Sequence, residues 1–335
     1  MKKLINLPEN FEKEMLEGIT AAHKGKVKLL EANDRVLVSE YPAIEGKVGI
    51  VTGGGSGHLP VFLGYVGQGL LDACAVGNVF ASPSAQTMAD AIRAADRGNG
   101  VLCLYGNYGG DCLNFDMACE IADMEDIETK TVLVADDVAS SPQETSEKRR
   151  GVAGMVYAFK IAGAAAESGM TLEEVAEVTQ RALCSIRTMG VAMTPCIVPR
   201  VGEPGFSIAE DEIEIGMGIH GEKGISVEKM MTADAVAEKI LRAIEDDMPL
   251  LPGDEISVMI NGLGGTPLEE QYIVYRAVDH ILKERGIDIV MPHIGEFATS
   301  MEMAGISVTI FKLDEETKKL LQKTARSPFY TNYNK

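Results

Sequence analysis

Short runs of apolar and β-branched residues alternate with longer amphipathic stretches through the first half of the chain. This alternation is typical of strand–helix–strand units and predicts a mostly parallel sheet. The predicted strands are Val48–Thr52, Leu71–Val76, Val101–Tyr105 and Thr131–Ala135, and the predicted helices between them are Ser84–Ala95 and Asn114–Asp123. Two longer helices are predicted to follow, one over Ser146–Ser168 and one ending near Thr188. The second begins at Thr171, whose spacing to Glu174 is that of a capping box.

The pattern changes near residue 190. Val191–Val198 and Glu212–Ile219 are predicted strands, joined by a connection rich in proline and glycine. No helix is predicted between these two strands, so we expect them to pair antiparallel. The remaining predicted elements are helix Ala233–Asp246, strand Ile256–Ile260, helix Leu268–Lys283, strand Asp288–Met291 and strand Ser307–Lys312. The sequence therefore predicts a two-domain α/β protein, with a mostly parallel sheet flanked by helices in residues 1–190 and a mixed α/β domain in residues 191–335.

Composition narrows the classes of protein that fit this pattern. The 335 residues include 50 Asp and Glu against 31 Lys and Arg, a net charge of -19. Nucleic acid and anionic membranes bind positive surfaces, so neither is a predicted partner. The chain has no apolar run of about 18 residues, and its N-terminus turns polar after two lysines, so we expect a cytoplasmic protein. The six cysteines form no CxxC pair, so we predict reduced, packed thiols and no metal site.

Glycine is abundant, with 35 residues, and three glycine-bearing turns follow predicted strands. The first is Gly53–His58, the second runs from Gly106 through Asp111, and the third is Gly77–Ser84. Ligands of parallel sheets bind at the carboxyl ends of the strands, where such turns can meet on one rim. A purely structural interpretation remains open for each turn. In that interpretation Asp111 is a helix N-cap, and Ser82 or Ser84 caps the helix that follows the third turn.

The first turn matches neither of two nucleotide-binding motifs. A phosphate-binding loop needs GxxxxGK[ST], and no Lys-Ser or Lys-Thr follows Gly57. A dinucleotide fingerprint needs GxGxxG, and His58 occupies the place of its last glycine. A dinucleotide-dependent oxidoreductase is therefore a disfavoured alternative, which a nucleotide-binding titration would detect.

Two of the five histidines, His58 and His220, lie beside glycines. Such positions leave an imidazole accessible to a small ligand. A neutral imidazole acts as a base, or as a nucleophile toward a carbonyl carbon. Together with Asp111, these two histidines predict a site for a small ligand.

Five segments carry a specific resemblance to a known family. They are GGGSGH (Gly53–His58), GDCLNF (Gly110–Phe115), RRGVAG (Arg149–Gly154), GMGIHGE (Gly216–Glu222) and NGLGGTPLEEQYIVYR (Asn261–Arg276). In this order and spacing the chain closely resembles, nearly from end to end, the substrate-binding subunit of dihydroxyacetone kinase, the DhaK family. The resemblance implies a ketose kinase subunit with a two-domain α/β fold.

The resemblance also implies roles for matched residues. His220 would form a covalent hemiaminal with the carbonyl carbon of a short ketose. Asp111 would hydrogen-bond the ketose hydroxyl and serve as general base, and His58 would contact the substrate and assist. Gly55 and Ser82 would add further substrate contacts.

The nucleotide of this family is held by a separate helical domain or subunit. We therefore expect no cofactor in this chain, which ends at Lys335 without a further domain. ADP or ATP with Mg²⁺ is expected on a partner, the DhaL-type subunit, with a phosphotransferase-system protein or ATP as phosphoryl source. The resemblance also implies a homodimer.

Two departures from the family pattern leave the identity of the ketose substrate undetermined. Gly106 stands where well-studied members have a lysine, so one hydrogen bond from this substrate-binding position is expected to be lost. Leu59-Pro60 replaces the usual Glu-Pro. Dihydroxyacetone and a larger ketose such as erythrulose both remain candidates. A further alternative is a ketose-sensing co-activator without kinase activity, which the presence of Asp111 disfavours and Gly106 mildly favours.

Overall fold

The computed structural model describes residues 2–42 and 44–333. The chain divides into two compact units. The first comprises Met1–Val134, Met155–Ala182 and Thr317–Lys335, and the second comprises Ala135–Gly154 and Leu183–Glu316. The predicted domains, 1–190 and 191–335, are contiguous, whereas these units are built from interleaved segments.

Specific contacts account for the interleaving. The C-terminal segment returns to the first unit, where the Arg326 N–H donates to the Gln68 carbonyl oxygen at 2.9 Å. Residues 135–154 join the second unit, where the Thr188 N–H donates to the Asp136 carbonyl oxygen at 2.9 Å. Neither contact has a signature in local hydrophobic periodicity.

The helices and strands are as follows. The helices are α1 (Phe11–Ala22), α2 (Ala85–Ala95), α3 (Gly109–Asp123), α4 (Met155–Glu167), α5 (Leu172–Leu183), α6 (Ala233–Asp247), α7 (Leu268–Glu284) and α8 (Glu315–Gln322). The strands are β1 (Val27–Leu30), β2 (Asn33–Ser39), β3 (Gly49–Ser56), β4 (Ala73–Val79), β5 (Val101–Gly106), β6 (Thr129–Val134), β7 (Ile186–Ala192), β8 (Glu212–Ile215), β9 (Ser226–Lys229), β10 (Glu255–Gly262), β11 (Asp288–Glu296), β12 (Gly305–Lys312), β13 (Ala325–Arg326) and β14 (Thr331–Asn332). Short 3₁₀ helices cover Pro8–Asn10, Leu63–Tyr65 and Gln143–Lys148.

The sheet of the first unit has the strand order β1-β2-β4-β3-β5-β6. Its β4-β3-β5-β6 portion is parallel, which confirms the predicted βαβ pattern, and β1 and β2 extend it as antiparallel strands. All six residues of β5 are buried, as expected for a strand covered on both faces. Met88 and Ile92 of α2 pack in one apolar cluster with Val101 and Cys103 of β5.

The sheet of the second unit has the order β11-β10-β12-β7-β8-β9 and is mixed. The β10–β11 pair is parallel, and α7 connects the two strands. β7 and β8 pair antiparallel, as predicted, through Val191–Ile215 and Ala192–Glu214. The core contains Ile240 and Ile244 from α6 and Val278 from α7. This part of the fold confirms the predicted mixed α/β architecture.

Several predicted elements differ from the structure. α5 ends at Leu183 rather than near Thr188, where β7 has already begun. The helix predicted over Ser146–Ser168 is interrupted, because the backbone N–H groups of Val152 and Gly154 donate to the Asp136 carboxylate rather than to a preceding helical turn. The strand predicted at Val191–Val198 lies earlier, at Ile186–Ala192. Its early end fits the presence of Pro195, which has no N–H to donate to a sheet.

Among the described residues, no helix is long and apolar enough to cross a bilayer. Within the same ranges, 2–42 and 44–333, no group of three or more His, Cys, Asp or Glu side chains could hold a metal ion. The six cysteines are free thiols. Cys184 is exposed, so the prediction that the cysteines are packed is wrong for that residue.

Candidate active site

The three predicted turns of the first unit meet on one rim of its sheet. β4, β3 and β5 are neighbouring parallel strands, so their carboxyl ends share an edge. The Phe80 N–H donates to the Ser56 carbonyl oxygen at 3.0 Å, and the Ser56 hydroxyl donates to the Gly77 carbonyl oxygen at 2.6 Å. The Asn114 side-chain amide donates to the Pro83 carbonyl oxygen at 2.8 Å. These bonds confirm the expected rim.

Two glycines permit the close approach of these turns. A Cβ atom on Gly55 would lie 2.7 Å from the Ala81 nitrogen, and one on Gly110 would lie 2.7 Å from the Ser82 hydroxyl oxygen. Both distances are shorter than a carbon side chain tolerates. Gly55 and Ser82 therefore occupy the same rim, with Ser82 against the first turn of α3.

His58 lies inside the rim rather than open to solvent. Its side chain is buried, with 1% exposure, and its ring stacks on Phe80 with a centroid distance of 4.8 Å. Phe62 packs edge-on against it at 6.1 Å. Both phenylalanines have positive φ angles, 69° for Phe62 and 58° for Phe80, which bulky residues rarely adopt. The expectation of an accessible imidazole is therefore wrong for His58 in this structure.

Asp111 lies within the first turn of α3 and is buried. The helix starts at Gly109 with Tyr108 in the N-cap position, so the interpretation of Asp111 as an N-cap is wrong. The helix was predicted to start five residues later, at Asn114. A carboxylate in a first helical turn is stabilised by the helix dipole and the unpaired N–H groups there. Asp111 thus combines burial with a position at the positive end of the α3 dipole.

Gly106 ends β5 at the same rim. A Cβ atom there would lie 3.1 Å from the Tyr108 ring and 3.2 Å from the Met155 sulfur. A side chain at this position would therefore displace its neighbours by only a few tenths of an ångström.

His220 belongs to the second unit, in the loop of residues 216–222 that follows β8. We call residues 216–222 the His220 loop. Gly216 opens it with φ of 77° and donates its N–H to the Gly190 carbonyl oxygen at 2.7 Å. The Gly218 N–H donates to the Glu222 carbonyl oxygen at 3.0 Å, which closes the loop. This turn geometry ends β8 at Ile215, four residues before the predicted end of the strand.

Glu222 holds the His220 ring. One carboxylate oxygen lies 2.9 Å from His220 Nδ1, and the other accepts the His220 backbone N–H at 2.9 Å. Burial alone raises the pKa of Glu222, but its hydrogen bonds with His220 and the His220 charge outweigh burial and lower this pKa to about 2. An ionised carboxylate can only accept hydrogen bonds, so Nδ1 carries the proton. In the neutral ring, Nε2 is then the unprotonated nitrogen.

Glu222 lies in the motif GMGIHGE, but no role for it was predicted from the sequence. The sequence feature that indicates this role is a carboxylate two residues after a histidine in a glycine-rich loop. The side chain of His220 is 22% exposed and that of Glu222 is 33% exposed, so the ring is open to a small molecule.

Residues 17–329 match the Dak1 domain model, which covers both histidines and Asp111. The chain belongs to the Dak1 family. Among curated Dak1 relatives, the PTS-dependent dihydroxyacetone kinase 2, dihydroxyacetone-binding subunit DhaK of Listeria innocua is 44% identical, over 98% of this chain and 99% of its own. The L-erythrulose kinase of Pectobacterium atrosepticum is also 44% identical, over 98% of this chain and 56% of its own.

Two solved structures have the same fold along nearly the whole chain. The dihydroxyacetone kinase from C. freundii in complex with AMP-PNP and Mg²⁺ superposes with a TM-score of 0.90 at 30% identity, covering 99% of this chain and 61% of the kinase chain. The dihydroxyacetone kinase operon co-activator DhaQ superposes with a TM-score of 0.89 at 30% identity, covering 96% and 98% of the two chains. The Dak1 fold thus occurs in proteins named as kinases and in one named as a co-activator.

Proposed function

We propose that this Dak1 chain is the ketose-binding catalytic subunit of a dihydroxyacetone-type kinase. It binds a short ketose covalently through His220 and presents a ketose hydroxyl to a phosphoryl group brought by a partner subunit. The observation that carries the proposal is the His220–Glu222 pair, which leaves Nε2 as the reactive nitrogen. Relatives of matching length named as dihydroxyacetone-binding subunits support it.

The covalent step follows from this tautomer. The Nε2 lone pair of neutral His220 attacks the ketose carbonyl carbon and forms a C–N bond. The carbonyl π electrons pass to the oxygen, which takes a proton from solvent. The product is a hemiaminal on a positively charged ring, and the Glu222 carboxylate stabilises that charge. The reaction selects substrates with an unhindered carbonyl, such as short ketoses.

The phosphoryl transfer then depends on positioning and on a base. A primary hydroxyl is a weak nucleophile. Tethering the ketose through its carbonyl carbon, which takes no part in phosphoryl transfer, restricts the orientation of that hydroxyl. In the proposal Asp111 accepts the hydroxyl proton, and His58 assists it from the same rim. Gly55 and Ser82 contact the substrate at that rim. Phosphoryl transfer requires little further covalent chemistry from the protein.

The nucleotide, ADP or ATP with Mg²⁺, is proposed to reside on the partner subunit. Bound there as ATP, the nucleotide would supply the phosphoryl group, and Mg²⁺ would neutralise its charge. Bound ADP would first be phosphorylated by a phosphotransferase-system protein. Support comes from the C. freundii kinase named with AMP-PNP and Mg²⁺, whose chain extends beyond the 61% that this chain matches. No nucleotide or metal role is proposed for residues of this chain.

The substrate class is a ketose of three or four carbons. Dihydroxyacetone and erythrulose are both supported, because relatives named for each are 44% identical to this chain. Gly106 ends β5 at the rim, where the resemblance places a lysine, and the absence of that donor is proposed to relax the preference for dihydroxyacetone.

A second candidate is a ketose-dependent co-activator, which the likeness to DhaQ favours. In that function the hemiaminal forms but no phosphoryl transfer follows. The presence of Asp111 on the rim favours the kinase.

The test is turnover in a reconstituted mixture. The purified chain, its nucleotide-bearing partner subunit and a phosphoryl donor are combined with dihydroxyacetone or erythrulose, and the ketose phosphate is measured. The wild type is expected to turn over, and His220→Ala is expected to lose activity. His280→Ala, which removes an exposed histidine of α7 in the same unit, serves as the matched control and is expected to remain active. Adduct formation without turnover on any short ketose would support the co-activator instead.

A further inference from the structure

Arg150, in the motif RRGVAG, contacts the His220 loop from another segment of the second unit. Its Nη2 donates to the Gly216 carbonyl oxygen at 3.0 Å. Its Nη1 lies 3.9 Å from Glu222 Oε2, the oxygen that accepts the His220 backbone N–H. One guanidinium therefore contacts both the first and the last residue of the His220 loop.

The guanidinium is itself fixed by a buried carboxylate. Arg150 Nε donates to Asp137 Oδ2 at 3.0 Å, and Nη2 lies 2.8 Å from the same oxygen. The other oxygen of Asp137 accepts the Ala139 N–H at 3.0 Å. The Arg150 backbone N–H also donates to the Ser140 hydroxyl at 3.0 Å. The arginine thus has little freedom to leave the loop.

The backbone that follows Arg150 is held by a second buried carboxylate. Asp136 accepts the N–H groups of Val152 at 2.8 Å and Gly154 at 2.7 Å. A Cβ atom on Gly154 would lie 2.5 Å from Asp136, so this position requires glycine. The segment that carries Arg150 is therefore anchored independently of the His220 loop.

Gly218 allows Arg150 to approach Glu222. A Cβ atom on Gly218 would lie 2.1 Å from Glu222 Oε2 and 2.4 Å from Arg150 Nη1. Any side chain there would separate the two charged groups. The absence of a side chain at Gly218 therefore lets the Arg150 guanidinium and the Glu222 carboxylate lie close together.

We propose that Arg150 is a positioning residue for His220: it holds the Glu222 carboxylate in the orientation in which both oxygens accept hydrogen bonds from His220. Its effect on the reaction rests on the function proposed above. Without the guanidinium, the Glu222 carboxylate is free to rotate away from Nδ1, and the ring loses its preference for the Nδ1-protonated tautomer. Nε2 is then unprotonated in a smaller fraction of neutral rings, and adduct formation weakens.

The neighbouring Arg149 provides a matched control. Its guanidinium forms a buried ion pair with Asp247 and donates to the Ser141 carbonyl oxygen. The two arginines are adjacent, and both pair with carboxylates in the second unit. Arg149→Gln is expected to lower stability without changing the state of His220.

The experiment compares Arg150→Gln, Arg150→Lys and Arg149→Gln at pH 8. In the wild type this pH lies above the pKa of Asp137, which burial raises to about 7 against the lowering effect of Arg150. Imidazole ¹⁵N shifts of His220 in the ligand-free protein report the tautomer. Titration with ¹³C-labelled dihydroxyacetone reports the adduct, and thermal unfolding reports stability.

For Arg150→Gln we expect a mixture of tautomers and an adduct dissociation constant raised about tenfold, the effect of losing a contact to a charged group. Arg150→Lys is expected to recover part of both losses. Arg149→Gln is expected to match the wild type in both NMR readouts while unfolding at lower temperature.

A folded Arg150→Gln protein with wild-type tautomer and wild-type adduct affinity would overturn the proposal. If that variant does not fold, Arg150→Lys decides, because an unchanged tautomer in it contradicts the positioning role. If the wild type forms no adduct with any short ketose, the proposed function fails, whereas the ligand-free tautomer comparison still tests Arg150.

Discussion

At the scale of single residues, the reactivity of His220 depends on the carboxylate two positions after it. Glu222 accepts two hydrogen bonds from His220 and stays ionised because they hold its pKa near 2. The pairing resembles the carboxylate that orients the histidine of a serine protease. A neutral imidazole without this partner would populate both tautomers.

Glu222→Gln is expected to lower turnover by about 100-fold or more, because an amide can donate to Nδ1 as well as accept from it. Steady-state kinetics with the partner subunit measures the loss. Glu228→Gln, which replaces a β9 carboxylate paired with Lys239, is the control and is expected to retain activity. Equal activity of the two variants would contradict the role of Glu222.

Gly106 bears on the choice of ketose. Gly106→Lys is expected to fold, since the added Cβ lies 3.1 Å or more from its neighbours, and to place a donor at the rim. We expect the ratio of kcat/KM for dihydroxyacetone over erythrulose to rise about tenfold. Gly109→Lys, in the same turn but facing open space, is the control. An unchanged ratio in Gly106→Lys would remove Gly106 from the determinants of specificity.

At the scale of elements, strong periodicity predicted type and place well. α6 and α7 each end within one residue of their predicted ends, and β5 lies where its apolar run predicts. One failure has a tertiary cause. The break before α4 exists because Asp136, distant in the chain, takes the N–H groups that a helix would use. Periodicity carries no information about such a contact.

Sequence patterns likewise predicted only part of the candidate site. Glycine turns at the ends of parallel strands predicted a shared rim, and the structure confirms it. The enclosure of His58 by Phe62 and Phe80 was not predictable, because it requires two residues with positive φ. The contact of Arg150 with the His220 loop joins residues 66 positions apart, and no local pattern indicates it.

Helix caps contribute to stability separately from the site. Ser84 caps α2 by accepting the Thr87 N–H, and Thr232 caps α6 by accepting the Ala235 N–H. Ser84→Ala and Thr232→Ala are each expected to lower the free energy of unfolding by about 1 kcal/mol. Urea unfolding measures this loss, and turnover is expected to stay near wild type for both. Lost turnover in a stable Ser84→Ala protein would instead place Ser84 in the site.

At the scale of the whole molecule, a buried lysine of α4 contacts the C-terminal segment of the first unit. Lys160 of α4 is 1% exposed and donates to the Leu320 carbonyl oxygen at 2.7 Å. Burial lowers the pKa of Lys160 to about 7, against the raising effect of Glu167. An unfolded lysine has a pKa of about 10.4.

This difference predicts the direction of a pH effect on stability. Between pH 7 and about pH 10 the unfolded chain binds a proton at Lys160 that the native protein lacks, so this residue makes stability rise with pH. The slope from Lys160 is up to about 1.4 kcal/mol per pH unit. Lys160→Met is expected to remove that slope from urea unfolding measured between pH 7 and pH 9. Lys24→Met, at an exposed lysine, is the control. Equal slopes in the two variants would contradict a buried, neutral amine at Lys160.

Two properties of the whole chain, its net charge and its glycine content, fit the proposed function. The net charge of -19 argues against nucleic acid as a partner, and the proposed substrate is a small, uncharged ketose. Some of the 35 glycines lie where turns approach one another, at the rim of the first unit and in the His220 loop of the second.

Covalent binding of a ketose by His220 can be observed by ¹³C NMR with dihydroxyacetone labelled at its carbonyl carbon. We expect the wild-type protein to convert the ketone resonance into that of a tetrahedral carbon bonded to nitrogen. His220→Ala should leave the ketone resonance unchanged, while His280→Ala behaves as the wild type. A ketose that binds the wild type with its carbonyl intact, or an equal adduct in His220→Ala, would contradict covalent binding by His220.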